Sequence, residues 1–388
     1  MERPRVRVGS GWICAPMIEI RNRCEIGCKE VGDWGGSGTG GWAGRERNGE
    51  KLRAPGPAWH NYPLASKPVG VENVRRHGNE SGQSTRTNGR RMASALLGAV
   101  MFSVGVTQGF AAPIGPGDGQ QIASIDGVDL PVFTYRPSGC EPRLLLLVFH
   151  GVGRDGAPYR DHARPLADRV CAIVVAPQFD RKRFPRDEYQ YGGVTPASVA
   201  SGASGASATS AVKRRTVDLI PELVTWAREA AGQTESPYVL LGHSAGAQFV
   251  DRVAAYAPVP AARVVVANPS TWVLPDTKTA IPFGFGGLGT DAVKEKALRA
   301  YLAEPLTVLL GQDDVHQRWL AQGKQARAQG DNRYDRGTHA FHAAEEVAKR
   351  NGWVFGWKLI EVPGVGHDAA AMLGSPQAVE ALGLGGGG

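Results

Sequence analysis

Little in this sequence points to a metal, a membrane or a nucleic acid. Cysteine is scarce, five in 388 residues. Three of the five, Cys14, Cys24 and Cys28, fall near the N-terminus, where a C-x3-C pair without a second pair gives zinc no tetrahedral ligand set. So few cysteines also exclude a small fold built on disulfides. No apolar run approaches the roughly 20 residues that a bilayer-spanning helix needs. The longest, Ala93 to Val106, has 14. A net basic charge is missing from most of the chain as well. The net charge of +7 sits in residues 1–91, with 16 Lys/Arg against 9 Asp/Glu, while residues 92–388 balance at 28 against 28. A neutral body has no electrostatic grip on phosphates, so no nucleic-acid partner is expected.

The first 89 residues also lack any sustained apolar period. Stretches such as "VGDWGGSGTGGWAGRERNGE" are dense in Gly, Arg and Asn and cannot offset the entropy of ordering. They are expected to be disordered, or to be a misassigned N-terminal extension. Trp34 and Trp42 could stack on bases, but the composition favours plain disorder. Residues 90–112 resemble a signal peptide: Arg90 and Arg91, the 14-residue apolar run, then small residues around Phe110 that suit cleavage after Ala111 or, second choice, after Ala112. A start nearer Val74 or Met92 and a bacterial periplasmic or secreted location are therefore expected. Cys140 and Cys171 each stand just before an apolar run. If those runs are neighbouring parallel strands, a disulfide between them is geometrically possible; two free thiols are the alternative.

From Pro113 to Gly388 the chain reads as one α/β domain. "QQIASI" and "VDLPVFTYR" flank Asp126-Gly127, a hairpin signal. Short continuous apolar runs follow at 144–150, 171–177, 237–244, 263–269, 306–312 and 357–364, the pattern of buried parallel strands. Helical spacing lies between them at 159–170, 211–232, 245–256, 290–302 and 340–351, with Pro221 requiring a kink or a later start in the second. The expectation is a mostly parallel central sheet of about eight strands with helices on both faces. The small-residue stretch 194–210 is either a mobile flap or a passive insertion.

Within this pattern "YVLLGHSAGAQF" places Ser244 between Gly242 and Gly246, behind a strand and ahead of a helix. The motif G-x-S-x-G alone is weak in a chain with 52 glycines. In this context it is a nucleophile elbow, where a strained turn lifts the serine and the glycines remove side chains that would collide. A serine hydroxyl needs a base held by a carboxylate, and here the partners must come in the order Ser, acid, His, each just past a strand. "LLGQDDV" offers Asp314, with Asp313 as the alternative, and "VPGVGHDA" offers His367. His316, His339 and His342 read as solvated, and His243 as a packing residue pointing away from the serine. An oxyanion hole would use the backbone N–H groups of Ala245 and of Val152 in "FHGVGRDG". Tyr189, Tyr191, Trp272, Phe283 and Phe285 follow strand ends and could line an aromatic pocket.

These motifs, with "VVAPQFD" and "ANPSTW", resemble the α/β-hydrolase superfamily, and within it the exported bacterial serine esterases related to polyhydroxyalkanoate depolymerases and feruloyl esterases. The resemblance spans about residues 120–385. It implies hydrolysis of a carboxylic ester through an acyl-enzyme, a small-molecule ester as substrate, and no metal or organic cofactor. An acyltransferase would use the same residues, and a catalytically silent binding protein would lack one of them.

Overall fold

The computed structural model of the protein describes residues 111–198 and 214–384. The leader, nearly all of the signal-like segment, the three N-terminal cysteines, most of the 194–210 stretch and the glycine tail lie outside the described residues.

Eight strands form one sheet: β1 (Gly117–Ile125), β2 (Val128–Arg136), β3 (Leu144–Phe149), β4 (Ala172–Pro177), β5 (Tyr238–His243), β6 (Arg263–Ala267), β7 (Leu306–Gly311) and β8 (Lys358–Val362). Their spatial order is β1-β2-β4-β3-β5-β6-β7-β8. The β1–β2 hairpin turns on Asp126 and Gly127, both at positive φ as a tight two-residue turn demands, and β2 joins β4 antiparallel. From β4 to β8 every pairing is parallel. The chain steps outward from β3 to β4 and then back to β5, so the carboxyl ends of β3 and β5 flank a topological switch point, the place where such sheets form a ligand crevice.

The central strands β3 to β7 are almost continuously apolar because both of their faces are covered. In β3, Leu145, Leu147 and Phe149 enter one core layer and Leu144, Leu146 and Val148 the other. Helix α1 (Gly156–Val170), short α8 (Ala369–Gly374) and α9 (Pro376–Ala381) cover the second layer. On the first lie α3 (Ile220–Ala231), α4 (Ala245–Tyr256), α5 (Asp291–Ala303) and α7 (Arg333–Asn351), with α2 (Arg186–Tyr189) and α6 (Lys324–Arg327) as single turns in loops. Helix α4 is buried at every position, which makes its polar residues Gln248, Asp251 and Arg252 conspicuous.

Two helices differ from the pattern read in the sequence. The helix expected over 211–232 begins only at Ile220, after a 3₁₀ turn over Thr216–Leu219. Pro221 sits in the first turn, where its missing N–H has no intrahelical acceptor to forgo. Helix α7 starts at Arg333, about two turns before the predicted Ala340, because the Asn332 side chain accepts the Asp335 N–H at 2.8 Å and caps it. The early turns, "RYDR", carry no apolar stripe, yet they bury Arg333 and Arg336.

A disulfide joins Cys140 and Cys171, at the amino ends of β3 and β4 and remote from the crevice. The cross-link spans 31 residues. Closing a loop of that length restricts the unfolded chain by about 3 to 4 kcal/mol. The double variant Cys140→Ser/Cys171→Ser is expected to lose a stability of that order in urea unfolding. Adding a reductant to the wild type should move it to the same midpoint.

Candidate active site

Gly242 and Gly246 frame Ser244 for a steric reason. A Cβ on Gly242 would collide with the Gly246 carbonyl, and one on Gly246 would enter the Phe149 carbonyl of β3. Helix α4 therefore packs directly on the strands at its first turn. Ser244 pays for that approach with φ 58° and ψ −113°, a conformation costing a non-glycine residue about 1–3 kcal/mol. The result is a partly exposed hydroxyl at the helix N-terminus, above the crevice.

The loops after β7 and β8 bring two more side chains to it. Asn268, just past β6, accepts the Gly311 N–H at 3.0 Å and donates to the Gly366 carbonyl at 3.4 Å. Asp313 N–H donates to the Val365 carbonyl at 3.0 Å. These bonds clamp the two loops together. Asp314 is 0% exposed, whereas Asp313 faces solvent. One oxygen of Asp314, Oδ2, lies 2.7 Å from His367 Nδ1, and His367 Nε2 lies 2.9 Å from Ser244 Oγ. A carboxylate only accepts, so Nδ1 carries the proton and Nε2 is left to accept the serine hydroxyl. The other oxygen, Oδ1, receives Arg333 at 3.3 Å from inside the fold.

The N–H groups of Val152 and Ala245 donate to no group among the described residues, and both residues line the cleft beside Ser244. The peptide before Val152 is held from behind. His150 is buried; Phe179 N–H donates to its Nε2 at 2.9 Å, so its proton is on Nδ1, directed at the Gly151 carbonyl 3.0 Å away. Burial lowers the His150 pKa from about 6.5 to about 3. The folded state thus binds fewer protons than the unfolded chain between those values, so this contribution to stability is complete above pH 6.5 and shrinks as pH falls toward 3. The slope approaches about 1.4 kcal/mol per pH unit. In urea unfolding from pH 7 to 4, His150→Gln is expected to show a flatter pH dependence than wild type, at a lower absolute stability.

His243 packs as its position suggests. It is buried, its ring lies 4.8 Å from that of His367, and its Nδ1 meets the Tyr159 hydroxyl at 3.2 Å. Desolvation holds its pKa well below the ordinary value, so the ring beneath His367 stays neutral. His316, His339 and His342 are exposed and none lines the cleft.

The expected aromatic pocket needs correction. Tyr189, Trp272 and Phe285 are fully buried in the core. Tyr189 stacks on Phe179 and Phe249 and donates its hydroxyl to the His150 carbonyl. Tyr191 and Phe283 pack edge to face on each other, away from Ser244. Large aromatics after strand ends have filled the layer above α4 rather than the crevice. The cleft encloses about 270 Å³ and is lined instead by Tyr159, Gln190, Gln248, Ser270 and Trp319 around the serine and histidine. Gln190 donates to Gln248 at 3.0 Å and Gln248 to Thr271 at 2.7 Å; Arg252 also donates to Thr271, and so ties this chain to the buried Asp251. Gln248 was detectable, since it lies one helical turn beyond Ser244 on the same face. Trp319 had no periodic signal around it.

Among the described residues no three His, Cys, Asp or Glu side chains are grouped to hold a metal ion, and no helix is long and apolar enough to cross a membrane. The solved structures similar to the chain include two that share about a third of its sequence. LpqC, a poly(3-hydroxybutyrate) depolymerase from Bordetella parapertussis, is 32% identical, with 69% of this chain and 95% of that one covered and a TM-score of 0.59. Poly(aspartic acid) hydrolase-1 from Sphingomonas sp. KT-1 is 30% identical, covering 70% and 99%, with a TM-score of 0.60. No family model and no curated protein matches the chain.

Proposed function

Because the chain belongs to the α/β-hydrolase superfamily, among esterase-like relatives that are hydrolases, we propose that it hydrolyses small carboxylic esters through Ser244, His367 and Asp314. The observation that carries this reading is the line of hydrogen bonds, 2.7 Å and 2.9 Å long, from Asp314 through His367 to Ser244. As Ser244 Oγ attacks the ester carbonyl carbon, its proton passes to His367 Nε2, and Asp314 stabilises the imidazolium. The N–H groups of Val152 and Ala245 receive the negative oxygen of the tetrahedral intermediate. Its collapse expels the alcohol, which takes the proton from Nε2 and leaves an acyl-serine. Water, deprotonated by the same histidine, then releases the acid and restores the hydroxyl.

The same geometry would serve an amide, and the similarity to a poly(aspartic acid) hydrolase gives that reading its support. An ester is the more reactive substrate for this geometry, because its carbonyl is less stabilised by resonance than that of an amide. A silent binding protein is disfavoured because all three side chains lie within hydrogen-bonding distance. The Cys140–Cys171 disulfide supports export to an oxidising compartment, periplasmic or extracellular.

The test is a panel of acyl esters and their matched amides, offered to wild type and Ser244→Ala, with and without an added alcohol acceptor. Acid release from esters by wild type alone is the expected result. Release of a new ester in the presence of acceptor would make the protein an acyltransferase.

A further inference from the structure

Trp319 is used neither by the hydrogen-bonded line at Ser244 nor by the core. The residue is 71% exposed, yet it lines the same cleft as Ser244. Its backbone stands at φ 60°, a region that bulky residues avoid. Such a conformation persists only where the surroundings over-determine it. Here two buried arginines on the first turn of α7 do so. Arg333 donates to the Arg318 carbonyl at 2.9 Å and Arg336 to the Ala321 carbonyl at 3.1 Å, on either side of the tryptophan. Ser270, itself at the cleft wall, donates to the Trp319 carbonyl at 3.4 Å. The Arg318 guanidinium stacks 5.6 Å from the indole centroid and occupies one face. Among the described residues no other ring or cation packs on the indole, which leaves its second face open.

The strand order says which part of a substrate meets that face. Val152 and Gln190 follow β3 and β4, on one side of Ser244; Ser270, Trp319 and His367 follow β6, β7 and β8, on the other. The ester oxygen that departs must lie against His367 Nε2, which gives it a proton. The leaving alcohol therefore occupies the β6–β8 side, under Trp319, and the acyl chain extends elsewhere.

We propose that Trp319 is a specificity-determining residue for the leaving group, a stacking platform that favours alcohols with a flat ring face over open-chain alcohols. This rests on the ester reading. Aryl groups and sugar rings both present such a face and both stack on indole, and the assay separates them.

The test uses three acetate esters, of butanol, of benzyl alcohol and of the primary hydroxyl of a methyl glucoside, with wild type, Trp319→Ala and Trp319→Phe. Trp319→Ala is expected to lose about five- to tenfold in kcat/KM on one or both ring esters, with less than about twofold change on butyl acetate. Trp319→Phe should retain most of the activity. All three esters form the same acetyl-serine, so its rate of hydrolysis, read by single turnover, should be unchanged by either substitution. Loss on benzyl acetate alone identifies an aryl group, and loss on the glucoside alone a sugar. Equal loss on all three esters, no loss on any, or a change in acetyl-serine hydrolysis overturns the proposal. Failure of the ester reading looks different: wild type then turns over none of the three faster than Ser244→Ala does.

Discussion

Ser244→Ala is expected to reduce kcat/KM on acyl esters by about 10⁵- to 10⁶-fold, through kcat, with KM little altered. The size follows from the way the proposed nucleophile, base and carboxylate act as one unit: without the hydroxyl, His367 has no proton to accept and no covalent intermediate forms. What remains is the assistance of the two free N–H groups and of binding, acting on water. The fold should not notice. Ser244 caps no helix with its side chain, and among the described residues the only side-chain partner of its Oγ is His367, already held by Asp314. The melting curve of the variant should therefore overlay that of wild type, and labelling by a fluorophosphonate should disappear. Turnover within a few-fold of wild type would falsify the assignment of Ser244.

Asp314→Asn should lower kcat by about 10⁴-fold, because the amide fixes the wrong tautomer of His367 and no longer balances the imidazolium. Asp313→Asn, three atoms of backbone away but exposed, should stay within about twofold of wild type. The pair of substitutions separates the two neighbouring carboxylates kinetically. Asp314→Asn carries a second cost that a pure catalytic residue would not. Arg333 is buried and pairs with Oδ1 of Asp314, so neutralising the carboxylate leaves a buried guanidinium without its counter-charge. A loss of about 1–3 kcal/mol in chemical unfolding is expected. Asp313→Asn should show none.

The contrast between these two aspartates also marks how far the sequence could be read. Strand rhythm was legible because both faces of the central sheet are buried and β3 to β7 are nearly unbroken apolar runs. Position relative to those strands was enough to nominate Ser244, Asp314 and His367, since loops at the carboxyl ends of parallel strands converge. Choosing between Asp313 and Asp314 needed burial, and burial there comes from α7, a helix whose first turns are charged and gave no periodic signal. The pocket was not legible for a related reason. Tyr189, Trp272 and Phe285 follow strand ends as lining residues would, but side-chain direction depends on loop paths that no local pattern encodes. Gln190 was passed over because an amide in a loop resembles any surface glutamine until its partner is known.

The separation of Ser244 and His367 along the chain, 123 residues, also has a meaning in time. At the usual pace of a ribosome, about 5–20 residues per second, the serine emerges roughly 6–25 s before the histidine. Strand β8 follows the other seven in the chain and, among the described residues, pairs with β7 alone, at one edge of the sheet. Every strand inward of it can be in place while the histidine is still being synthesised. The Ser244 hydroxyl is thus made, and can be held in place by β5, before the histidine that hydrogen-bonds it exists.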